Sequence, residues 1–217
     1  MATLSDFTLR RRIDLGELIS DWRKPLSIQP ASVEVRLDEN IIAYRHGDEN
    51  VTIGENGYEL LPGEFILAST QEKVSVPADL VARVEGKSSW ARRGILVHVS
   101  AGYIDPGFQG NVTLEIANLH SSKSAILHPG DRIAQIAFED LDRPASMPYG
   151  TNGLGSHYQG QTSVTPSARE VDARKSRWLL LGNCRTCSRH PAFLTARGLL
   201  SLTPRRGKSR SPIMVFS

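Results

Sequence analysis

Cysteine is nearly absent from this chain. Its two examples, Cys184 and Cys187, sit close together near the end, so no disulfide framework holds the protein together. No apolar run reaches the roughly 18 residues expected of a membrane-spanning helix. The opening MATLSDFTLRRR also lacks the apolar core of a signal peptide, so the expected location is the cytoplasm, with no membrane partner. There is no internal repeat and no alternation of strand and helix of the βαβ kind. A phosphate loop is missing too, although EGKSSWARRG (Glu85 to Gly94) imitates the end of one. The pattern GxxxxGK[ST] requires a glycine five places before Gly86, and the chain has Val81 there.

What is present is an ordinary globular composition, 40% hydrophobic and 23% charged, in 217 residues, enough for one domain with a real core and an appendage. The charge is uneven. From Asp172 to Ser217 there are ten Lys/Arg against one acidic residue, a charge of +9 in a chain of net +3, which leaves the preceding body at −6. That break puts a domain boundary near Glu170, with a domain over 1–170 and a basic tail over 171–217. The basic character belongs to the tail, so nucleic acid is not an expected partner of the body. The tail shows neither helical nor strand period and reads as disordered chain or as sequence foreign to the body. Its single Cys184-Arg-Thr-Cys187 with His190 lacks the second pair of ligands that a zinc site needs.

Ser5, acidic Asp6 and the run FTLRRRIDLGELI predict an N-capped opening helix. Beyond it come short β-type runs: SVEVRL, NIIAYR, EFILAST, DLVARVE, GILVHVS, NVTLEIAN, SAILH and RIAQIAF. Turn stretches such as LPGE, VPAD, IDPGFQG and HPGD separate them. Many short strands with one short helix predict a mainly β sandwich or barrel. Residues 144–168 are Gly-, Ser- and Pro-rich, and read either as a flexible linker or as a lid carrying Tyr149, His157, Tyr158 and Gln161.

Three places hold residues fit for chemistry. In NVTLEIAN, period-2 alternation puts Glu115 on the face of Thr113 and opposite Leu114 and Ile116. A strand carboxylate usually faces solvent, but one aimed into a pocket suits general acid–base work. Asp105 sits in an Asp-Pro-Gly turn that Asp and Pro would build without any function. Lys87, Ser88, Ser89 and Arg92 offer two cations and two hydroxyls beside a glycine, which is what a polyphosphate needs.

Taken in order, EGKSSWARRG, VSAGYIDPGFQGNVTLEI, PGDRIAQI and SHYQGQ resemble the dCTP deaminase family of the dUTPase-like superfamily. The opening helix and IQPASVEVRL match as well, so the likeness spans roughly residues 3–168. It implies a distorted jelly-roll or β-barrel subunit, a homotrimer with active sites shared between neighbours, and a C-terminal segment (about 144–168) that closes over the site. It implies hydrolytic, zinc-independent deamination of dCTP to dUTP and ammonia, with Mg2+ bound through the triphosphate and no dedicated metal ligands. By position, Lys87, Ser88, Ser89, Trp90, Ala91 and Arg92 match the phosphate-contacting motif, and Asp105 the aspartate beside the deoxyribose. Thr113, Leu114 and Glu115 match the segment lining the base, with Glu115 the catalytic carboxylate and Arg92 and Ser88 beside it in the catalytic set. Gln135, Tyr149, His157 and Gln161 match further nucleotide contacts. The resemblance also brings dTTP as a candidate feedback inhibitor.

Three positions depart from the family pattern: Glu34 where Asp is usual, Lys87 where many members have Arg, and His157 where Lys is frequent. Ala101-Gly102 resembles the bifunctional branch, which carries the product on to dUMP and pyrophosphate. A dUTPase, and a silent nucleotide-binding trimer, remain as other readings. The apolar residue that dUTPases tend to have at position 115 counts against the first, and the intact set Ser88, Arg92, Asp105 and Glu115 against the second.

Overall fold

The structure is a computed structural model and describes residues 2–20, 25–47 and 49–168. The chain divides into two units, Met1–Glu170 and Val171–Ser217. Cys184, Cys187 and His190 of the tail lie outside the described residues.

Helix α1 (Asp6–Asp14) places Leu9 and Ile13, four residues apart, on its buried face. Ser5 occupies the N-cap position with an extended backbone, but its hydroxyl makes no capping bond, contrary to the expectation from sequence. The helix is also shorter than its apolar run, for a local reason. Gly16 adopts φ +73°; its N–H bonds the Ile13 carbonyl at 2.8 Å and the Glu17 N–H bonds that of Arg12 at 3.0 Å. This double closure with a left-handed glycine just past the end is a Schellman motif. Arg12 then anchors the helix to the body, its guanidinium meeting both oxygens of Asp79 at 3.0 and 3.2 Å.

The strands are β1 (Ile19–Ser20), β2 (Ser27–Gln29), β3 (Ser32–Arg36), β4 (Asn40–Ala43), β5 (Glu49–Thr52), β6 (Tyr58–Leu60), β7 (Phe65–Ser75), β8 (Leu80–Gly86), β9 (Ile95–Leu96), β10 (Tyr103–Ile104), β11 (Gln109–Asn118), β12 (Ala125–Leu127) and β13 (Arg132–Asp140). A four-residue helix, α2 (Ser88–Ala91), follows β8. One sheet runs β5-β4-β7-β11-β9 with β1 also on β7, a second runs β10-β8-β13-β3-β2, and β6 pairs with β12. The ten strand pairings among the described residues are all antiparallel. Alternate residues of both large sheets, among them Leu114, Ile116, Ile66, Ile136 and Phe138, are fully buried in one core between them.

GILVHVS pairs as a strand over Ile95–Leu96 alone. Ile95 and Val97 both face the core, so the alternation reported burial and not a ladder. Past Leu96 the chain crosses toward the other sheet, where the Gly102 carbonyl accepts the Val84 N–H at 2.8 Å and β10 pairs with β8.

One buried polar feature braces the frame beside the site. Arg36 on β3 donates its backbone N–H and one guanidinium nitrogen to Glu72 on β7, both at 2.8 Å. Glu72 is 1% exposed, and a second Arg36 nitrogen reaches the Pro25 carbonyl. Two charges this deep are tolerable because each satisfies the other.

Candidate active site

Glu115 owes its position to β11. In register it lies opposite Leu67 of β7, with Leu114 opposite Ala68 and Thr113 opposite Ser69. The register shifts between Asn111 and Thr113. Asn111 covers that irregularity by donating its side-chain amide to the Thr70 carbonyl at 2.8 Å, and the Val112 N–H bonds the Thr70 hydroxyl at 2.9 Å. Leu114 and Ile116 point into the core, 0% exposed, each stabilising the strand by about 1.5–3 kcal/mol. Period 2 then obliges Thr113 and Glu115 to the other face.

That face lines a cavity of about 650 Å³ which gathers Asp105, Thr113, Glu115, Tyr149, His157 and Gln161. Six of the predicted site residues thus come together. Glu115 is half-buried and, among the described residues, no hydrogen bond or ion pair occupies its carboxylate. The size and mixed apolar and polar lining suit a small organic ligand.

The wall over this cavity is residues 144–168. Gly160 N–H bonds the Gln109 carbonyl at 2.8 Å, Asn111 N–H the Gln161 carbonyl at 2.9 Å, and Tyr149 N–H the Pro106 carbonyl at 2.6 Å. Gln161 donates its side-chain amide to the Asn111 carbonyl at 2.5 Å and to the Thr113 hydroxyl at 3.3 Å. The Tyr149 hydroxyl accepts the Tyr158 N–H at 3.0 Å, and the Tyr149 ring lies 5.9 Å from that of Phe108. Close approach requires glycine at 107: a Cβ there would stand 2.6 Å from Pro148 Cβ and 2.7 Å from the Tyr149 carbonyl oxygen.

The residues matched by resemblance to a phosphate-contacting motif lie elsewhere. Lys87, Ser88 and Gln135 line a separate depression of about 460 Å³ together with Gln29, Ser32 and Glu34. The two hollows share no lining residue. Helix α2 is a tight turn, with Arg92 N–H on the Ser88 carbonyl at 3.0 Å and Gly94 N–H on that of Ala91 at 3.0 Å. Its Trp90 is buried and donates its indole N–H to the Arg132 carbonyl at 3.1 Å, while Arg93 stacks 4.8 Å over the ring. Trp90 therefore anchors the motif, and Leu114 can reach a ligand only through its backbone, since its side chain belongs to the core. Ser89, Ala91 and Arg92 are exposed.

Electrostatics in the second hollow centre on Glu34. One oxygen pairs with the Lys87 ammonium and the other accepts from Arg132 at 3.1 Å. Burial acts to raise its pKa, but the hydrogen bonds from Lys87, Ser27 and Arg132 together outweigh it and hold the carboxyl below its ordinary value.

Several cavity residues carry no local signal in the sequence. Tyr44 and Phe65 stack at 5.7 Å, one just past β4 and the other opening β7. His98 lines the cavity with both ring nitrogens buried and without a hydrogen-bond partner among the described residues. Only the crossing of chain between the sheets brings these together.

The chain is thus a mainly β fold of two antiparallel sheets, with a strand carboxylate in a hollow lined in part by residues 149–167. The model of the dCTP deaminase-like family matches residues 3–141, and the chain belongs to that family. It is 43% identical over 179 residues to the dCTP deaminase, dUMP-forming, of Corynebacterium efficiens, covering 76% of this chain and 92% of that one. To the dCTP deaminase of Natronomonas pharaonis it is 44% identical over 188 residues, covering 78% and 95%. Among solved structures, the 2'-deoxycytidine 5'-triphosphate deaminase from Agrobacterium tumefaciens matches with TM-score 0.55 and 21% identity. That match covers 64% of this chain and about half, 48%, of the other, and it supports the fold.

Proposed function

We propose that this protein hydrolyses the exocyclic amine of dCTP, releasing ammonia and leaving dUTP. The observation that carries the reading is the free carboxylate of Glu115 in the same cavity as Asp105, Thr113, Tyr149 and Gln161. In this reading Glu115 takes a proton from water as the water oxygen bonds C4 of cytosine, and passes that proton to N3. Glu115 then takes the proton of the new C4 hydroxyl and delivers it to N4 as the C4–N4 bond breaks, leaving the C4 carbonyl and ammonia. Asp105, in the turn before Phe108, faces the deoxyribose. Tyr149 and Gln161 hold the covering segment in place over the base.

Lys87, Ser88 and Arg92 take the triphosphate, and Ser88 and Arg92 complete the catalytic set. Because that motif and the base cavity open separately on one chain, we infer that a complete site needs the cavity of one subunit and the phosphate motif of a neighbour. A homotrimer with shared sites meets that need. Magnesium accompanies the triphosphate: among the described residues, Glu34 is the one carboxylate lining the phosphate-side hollow and pairs both oxygens with Lys87 and Arg132, so substrate oxygens and water would hold the ion. The substrate is a soluble deoxynucleotide of the cytoplasm. No helix among the described residues is long and apolar enough to cross a membrane.

A second reading extends the first: a further water cleaves the triphosphate, giving dUMP and pyrophosphate. The Ala101-Gly102 pair resembles that bifunctional branch, and a Cβ at 102 would lie 2.9 Å from the Val84 carbonyl oxygen and 3.5 Å from His98, so a larger residue would disturb the backbone there. Relatives named dCTP deaminase, dUMP-forming, outnumber those named dCTP deaminase alone among the most similar ones, which favours this second reading. Purified protein with dCTP and magnesium, its products resolved by ion exchange, chooses between the two. Accumulating dUTP establishes the first reading, dUMP with pyrophosphate the second, and the absence of any conversion sinks both.

A further inference from the structure

We propose that Glu34 is a positioning residue for phosphate recognition, holding Lys87 in the second hollow and tying it to Arg132. The inference rests on reading Lys87–Arg92 as the phosphate motif.

The contacts form a closed circuit across three elements. Glu34 on β3 stands opposite Gln135 of β13 and opposite Ser27 of β2. Its side chain is 9% exposed, with one oxygen on the Lys87 ammonium and the other on Arg132 at 3.1 Å. The same Arg132 nitrogen lies 3.3 Å from the Ser27 hydroxyl. The backbone of Arg132 accepts the Trp90 indole N–H, and Lys87 immediately precedes α2, which contains Trp90. Strand, strand and helical turn are thus tied through one carboxylate.

Chemistry decides what such a carboxylate does beside an anion site. Glu34, Lys87 and Arg132 sum to one positive charge. An ammonium has three donors and a guanidinium five. Glu34 uses one from each and Ser27 a second from Arg132, leaving two on Lys87 and three on Arg132 for phosphate oxygens. In return, two long side chains are already ordered before a ligand arrives, so less rotamer entropy is lost on binding. A carboxylate that acted only by its charge would do the reverse, repelling an anion and weakening its binding.

Those two roles have opposite signs, and inorganic tripolyphosphate separates them. Calorimetry on the full-length protein measures its binding to wild type, Glu34→Gln and Glu34→Asp, with thermal melts confirming that each variant folds. A positioning role predicts that Glu34→Gln weakens binding about tenfold, the order set by ordering two long side chains. KM for dCTP rises by a similar factor, with kcat nearly unchanged. Glu34→Asp, which keeps the charge but withdraws it from Lys87, weakens binding as well, and decides the matter if Glu34→Gln does not fold. Equal or tighter binding by Glu34→Gln, unchanged binding by Glu34→Asp, or failure of the wild type to bind tripolyphosphate overturns the proposal. Wild type that binds tripolyphosphate but leaves dCTP unconverted refutes the deaminase reading alone.

Discussion

Gly107→Ala tests whether the 144–168 segment closes the cavity or merely lies against it. Gly107 has φ +95°, a conformation that costs a residue with a side chain about 1–3 kcal/mol. The added methyl also meets Pro148 Cβ at 2.6 Å and the Tyr149 carbonyl oxygen at 2.7 Å, and neither is the free end of a flexible chain. The simplest relief moves Tyr149 away from Phe108 and breaks the bond from Tyr149 N–H to Pro106. Strain of that size lowers the closed population by about 5- to 150-fold. We expect KM for dCTP to rise within that range, the segment to become sensitive to limited proteolysis, and the core to melt with little change. A Gly107→Ala protein with wild-type KM and wild-type proteolytic resistance would refute the reasoning, because the clash would then have been absorbed without opening the wall.

Glu115→Gln keeps the shape of the side chain but removes its base. Turnover of dCTP should fall by about 10²–10⁴-fold while calorimetry still detects dCTP binding; retained turnover removes Glu115 from the chemistry. Glu72→Gln leaves the buried Arg36 guanidinium without its counter-charge and should lower unfolding free energy by about 3–5 kcal/mol. Urea denaturation measures that loss, and replacing Arg36 and Glu72 together by leucines should recover most of it. Asp79 is held below its usual 3.8 by the hydrogen bond from Arg12, against the opposing effect of burial. A depressed carboxyl stabilises the fold above its unfolded-state pKa and stops doing so as pH falls through the lower folded value. The stability gap between wild type and Asp79→Asn should therefore be open at pH 7 and close below about pH 3.8. A gap constant down to pH 2 sinks the assignment.

Local chemistry alone marked the helix start near Asp6, the eight apolar runs and the face on which Glu115 lies. Each is set by neighbours within a few residues: a 3.6 or 2.0 period, or a glycine that can turn. The extents were less legible. α1 stops at Asp14 because Gly16 closes it, and GILVHVS pairs over two residues because its apolar alternation answers to burial, whatever partner lies alongside.

The site divides in the same way. From the residues themselves came a carboxylate on a strand, a cation-hydroxyl turn at 87–92 and a glycine-rich segment at 144–168. Tertiary structure alone decided that the segment covers the carboxylate, that Tyr44, Phe65 and His98 share its cavity, and that Lys87 faces Glu34 across a different hollow. Glu34 and Lys87 stand 53 positions apart in the sequence and Glu34 and Arg132 98 apart. No local period carries a contact over such separations. It arises only when β3, β8 and β13 pair in one sheet, because burying the alternate faces of those strands leaves their charged residues on the remaining side.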